Sequence, residues 1–124
     1  KNNDLNFLKQ AYIASANTMK KLEKEAYDEK YGLFTGPSVF NDGIAGYEEP
    51  IYEPTNKSSY VLDHPGSKTI KCLSTNCIYF RAYELLADMA RVLGDKKNIK
   101  EYKQKASIQK ENIRKYLYDK KQNR

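Results

Sequence analysis

One carboxylate in the sequence stands where an acid could do chemistry. Asp42 lies in Tyr31-Gly-Leu-Phe-Thr-Gly-Pro-Ser-Val-Phe-Asn-Asp-Gly-Ile-Ala-Gly-Tyr47, between Phe40 and Gly43. An acid held among aromatic rings loses solvation, which raises its pKa and lets it act as a general acid. Gly36, Gly43 and Gly46 allow sharp turns or a close approach of the backbone to a ligand. A second reading stays open, in which Asp42 only closes an Asx-turn onto the Gly43 region.

Other chemistries find less support. Cys72 and Cys77 enclose a short stretch, KCLSTNC, whose spacing is not that of a zinc site. Two separate thiols are expected, although a disulfide is geometrically conceivable and would suit an exported protein. His64 is the single histidine, in Asp63-His64-Pro65-Gly66, and reads as a turn residue. Asp42, Glu48, Glu49 and Glu53 lack EF-hand spacing. No P-loop, dinucleotide fingerprint or GxSxG nucleophile elbow occurs. Neither a metal nor a cofactor is therefore expected.

Three helices must position the Asp42 segment. The first is expected over about Asp4–Tyr27, with Leu5, Leu8, Tyr12, Ser15, Met19, Leu22 and Ala26 stepping by three and four. The second is expected over about Thr75–Leu93, apolar nearly all round, with Ser74 or Thr75 as its cap and Gly94 as its stop. The third is expected over about Lys97–Tyr118, opened by Asp95, with Glu101 and Lys105 as a favourable i,i+4 pair. The short Gly94-Asp95-Lys96 link makes the last two helices an antiparallel hairpin. Residues 28–74 show no helical period but are rich in Tyr, Phe and turn residues, which predicts one long ordered loop with a binding surface.

The 124 residues suffice for one domain. A helix apolar nearly all round belongs inside a larger body. Together with a start at Lys1, this predicts a partial helical domain spanning 1–124, cut or processed from a longer chain. No apolar run approaches a membrane span. The net charge is +6, the positive charges are dispersed and Lys far outnumbers Arg, and the acidic stretch EEPIYE opposes nucleic-acid binding.

The order of a helix, YGLF-x-GP-x-x-F-x-DG-x-x-GY, LSTN opening a helix, LADMARVLGD and a last helix ending in YLYD resembles the six-hairpin glycosidases. In that family, which includes processing α-glucosidases and trehalase-like hydrolases, an (α/α)6 toroid alternates inner and outer helices joined by long loops at one end. The resemblance runs from the first helix to Asp119. It implies an all-α fold of antiparallel hairpins, Asp42 as the catalytic acid, and Phe40, Tyr47 and Asn76 as sugar-binding residues. It implies a carbohydrate substrate, a secreted or periplasmic enzyme, and further hairpins of the parent chain as partners. An inverting glycosidase needs a second carboxylate about 6.5–9.5 Å from the acid. The resemblance puts that base outside this chain, so the chain alone is inactive. Asn41 stands where the glucosidase branch has Trp, which leaves the sugar and linkage open. The competing reading is a helical-repeat-like module that binds a protein or peptide without catalysis. It lacks an internal repeat near ~34 residues.

Overall fold

The computed structural model describes residues 4–38, 64, 66–118 and 121. The element order is α1 (Leu5–Glu25), β1 (Tyr27–Asp28), β2 (Leu33–Phe34), α2 (Leu73–Val92) and α3 (Lys96–Tyr116). The described residues are mostly helical, as expected. Asp4 caps α1, its Oδ1 accepting from Phe7 N at 3.0 Å. The helix ends earlier than expected, because Tyr27 turns into a short antiparallel ladder in which Tyr27 faces Phe34 and Asp28 faces Leu33.

The turn of this ladder depends on Gly32, whose φ is +63°. A Cβ placed there would meet Asn112 Nδ2 at 2.2 Å. That amide instead donates to Gly32 O at 3.1 Å, tying the hairpin tip to α3. Gly32→Ala therefore adds left-handed strain of about 1–2 kcal/mol to the displacement of Asn112. A stability loss of about 2 kcal/mol or more is expected in urea unfolding; a change below about 0.5 kcal/mol would refute this account of the turn.

α2 and α3 pack as a hairpin. Gly94, at φ +75°, ends α2, and Asp95 opens α3 by accepting from Asn98 N at 3.2 Å. Ala87, Ala90 and Ala106 are buried along the seam and let the two backbones approach closely. α1 crosses this hairpin and contributes Tyr12 and Met19 to the core. Phe34 fills the junction. It is fully buried, stacked on Tyr79 at 3.7 Å between centroids and met edge-on by Tyr27 at 5.0 Å.

α2 also exposes apolar surface. Ile78, Leu85 and Val92 are seven residues apart, so they share one face, and they are 46%, 42% and 63% exposed. Among the described residues, no helix is long and apolar enough to cross a membrane.

Candidate functional site

The structure builds an anchor at the N-terminal end of α2. Thr35 N donates to Ala26 O at 2.7 Å, on the β1 side of the chain. By the alternation of an antiparallel pair, the N–H and C=O of Phe34 then point the other way, toward α2. Asn76 meets them there. Its Oδ1 accepts from Phe34 N at 2.8 Å and its Nδ2 donates to Phe34 O at 3.0 Å. The side-chain amide thus substitutes for a neighbouring strand and closes the open edge of β2.

Asn76 is fully buried and its remaining capacity is used as well. Nδ2 also donates to Cys72 O at 2.9 Å, and Oδ1 accepts from Gln109 Nε2 at 2.8 Å. Asn76 therefore joins β2, the first turn of α2 and the middle of α3. Its place is inside the fold, where it positions the backbone.

The chain is held further along as well. Gly36 N donates to Ile70 O at 2.9 Å, Thr75 Oγ1 donates to Pro37 O, and the Ser38 and Ser74 hydroxyls are 3.0 Å apart. These contacts explain why α2 begins at Leu73, with Cys72 as its cap residue. Ser74 and Thr75, expected as caps, lie within the first turn and grip the incoming chain. Residues 66–72 arrive at the same end through a turn in which Thr69 N and Ile70 N donate to Gly66 O. His64 and Ser67 are buried beside it, and the Ser67 hydroxyl has no hydrogen-bond partner among the described residues.

Both flanks of the segment that contains Phe40, Asp42 and Tyr47 are thus anchored at one end of the α2–α3 hairpin. Those three residues themselves lie outside the described residues. No family model, curated protein or solved structure matches this chain. The anchor therefore carries the functional argument on its own geometry. Cys72 and Cys77 are not joined by a disulfide. Among the described residues, no group of three or more His, Cys, Asp and Glu side chains could hold a metal ion.

A second polar cluster has no counterpart in the motif reading. Glu23 of α1 accepts from Tyr83 Oη at 2.7 Å and from Lys105 Nζ at 2.8 Å, and Lys105 also reaches Glu101 at 3.1 Å. A cavity of about 250 Å³ opens beside it, lined also by Tyr27, Glu29 and Gln109. Burial, reinforced by Glu23, pushes the Tyr83 phenol far above its ordinary range, so it stays a hydrogen-bond donor. Burial opposes the Lys105 charge, but its bonds to Glu23 and Glu101 outweigh this and raise its pKa. The cluster's donors and acceptors satisfy one another, which makes it a strut between α1 and the hairpin.

This packing predicts alkaline sensitivity. Burial raises the pKa of Tyr12, Tyr27, Tyr79 and Tyr83, and raises Tyr102 to about 12. Each folded pKa lies above the unfolded value near 10. Their contribution to stability is complete below about pH 10 and is lost as pH rises through the folded values. Urea midpoints should hold steady from about pH 8 to 9.5 and fall steeply above 10. A flat profile through pH 11 would contradict this burial.

Proposed function

We propose that the chain is one slice of a six-hairpin glycoside hydrolase, built from one hairpin and the helix before it. In this reading Asp42 is the general acid of an inverting mechanism, Phe40 and Tyr47 are walls of the sugar pocket, and the base comes from another hairpin. One observation carries the reading. Both flanks of the Asp42 segment meet at a single end of an antiparallel hairpin: Asn76, Thr75 and Ser74 hold residues 34–38, and Gly36 N donates to Ile70 O in the stretch that leads into α2. A toroid needs this arrangement, since its long loops must converge at one end to form a pocket. The exposed stripe of Ile78, Leu85 and Val92 also supports it, because an inner helix packs on more than its own hairpin partner.

Asn76 has a different part here from a sugar ligand. It sets the take-off direction of the segment, and the sugar contacts fall to Phe40 and Tyr47. The resemblance further implies a secreted or periplasmic enzyme.

The reading is tested on the native gene product with α-linked disaccharides and aryl α-glucosides, following the anomer released by NMR. Hydrolysis with inversion, abolished by Asp42→Asn, is expected. Hydrolysis with retention, or turnover undiminished by Asp42→Asn, would sink the mechanism.

A further inference from the structure

α1 occupies one flank of the α2–α3 hairpin, and its Glu23 is fixed there by Lys105 at 2.8 Å. Among the described residues, no helix occupies the other flank. A cavity of about 360 Å³ runs between α2 and α3, with Phe80, Ala87 and Ala106 at its floor. It shares no lining residue with either cavity that borders α1. Ala87 and Ala106, buried in the seam beneath it, are small and keep the groove between the two rims deep.

The two rims differ in charge. On α2, Arg81 pairs with Glu84 at 3.0 Å and Arg91 with Asp88 at 2.7 Å, so that rim is balanced. On α3, the rim is Lys103, Ser107 and Lys110, and neither lysine pairs with a carboxylate among the described residues. The imbalance is part of a wider one. α3 holds eight Lys and Arg against two Glu, a net of +6 that equals the charge of the entire chain. The positive side chains are spread along the sequence, but on this helix few acids offset them.

We infer that this second flank seats another helix, from a neighbouring hairpin of the same polypeptide, whose edge toward α3 carries carboxylates seven residues apart. The spacing follows from Lys103 and Lys110, which are two turns apart on one edge, about 10.5 Å along the axis. Glu23 on Lys105 is the working precedent within the chain. A nucleic acid fits less well, because the balanced rim on α2 adds no net positive charge for its phosphates. The inference rests on the reading of the chain as a slice of a helical array, but not on its being a glycosidase.

Zero-length carbodiimide cross-linking of the native gene product tests it, with linked peptides identified by mass spectrometry. Lys105 to Glu23 is the internal control for folding and chemistry. Lys103 and Lys110 should each link to an Asp or Glu on one helical stretch of the same polypeptide, the two acids seven residues apart. The double variant K103E/K110E should lose those links and melt several degrees lower than K97E/K115E, which changes two exposed lysines off this rim. A clean Lys105–Glu23 link without any link from Lys103 and Lys110 overturns the inference. So do links to a different polypeptide, or protection of both lysines from acetylation by a DNA duplex. The glycosidase assay is independent: its failure leaves the links unaffected, and the absence of links leaves activity unaffected.

Discussion

Asn76→Ala should lower the unfolding free energy by about 4 kcal/mol, a large share of the ~5–15 kcal/mol typical of a domain. Removing the amide strands Phe34 N, Phe34 O and Gln109 Nε2, all in buried surroundings. Each such group costs about 1–3 kcal/mol when left without a partner. The fourth contact matters less, since Cys72 O also accepts from Asn76 N at 3.1 Å. Asn76→Asp separates geometry from charge. It keeps an acceptor for Phe34 N and Gln109, but it loses both donations and buries a carboxylate. It should be at least as damaging as Ala at pH 7 and recover in part as pH falls and the carboxyl protonates, because burial raises its folded pKa. Urea midpoints measure both effects. A loss under about 1 kcal/mol for Asn76→Ala would show that the clamp is replaceable by water.

The same residue shows what the sequence carries and what it hides. Helical spacing marks Tyr12 and Met19 as inward positions of α1, since burial of a helix face repeats every three or four residues, whereas Leu5, in the same stripe near the helix start, is exposed. Gly94 and Asp95 are equally readable, because stops and caps are local chemistry. Ser74 and Thr75 are not. Their hydroxyls satisfy Pro37 and Ser38, nearly forty residues away in sequence, instead of the helix end. The β1–β2 ladder leaves no alternation to detect with two residues per strand. The cluster of Glu23, Tyr83 and Lys105 spans sequence separations of 60 and 82, beyond any motif. Gln109 was within reach. It occupies the inward register between Ala106 and Ile113, and a buried amide there requires a partner, which is Asn76.

Asp42→Asn should abolish turnover and spare the fold, in contrast to Asn76→Ala, which should reduce both together. The anchor explains the difference. Its contacts from Phe34 to Ser38 are made by Asn76, Thr75 and Ser74. The chemistry explains the size. An amide cannot deliver a proton to the departing oxygen, and loss of a positioned general acid costs about 10²–10⁴ in rate. The loss should depend on the leaving group. An alkyl glycoside or disaccharide needs the proton fully and should lose the most. An aryl glycoside with an acidic phenol needs little help and should lose far less. The pH profile gives a second signature. A general acid works while protonated, so wild-type activity falls as pH rises through its pKa, and Asp42→Asn should flatten that limb on the aryl substrate. Equal losses on both substrates with the alkaline limb intact would place the acid elsewhere in the parent chain, with Asp42 left to its turn.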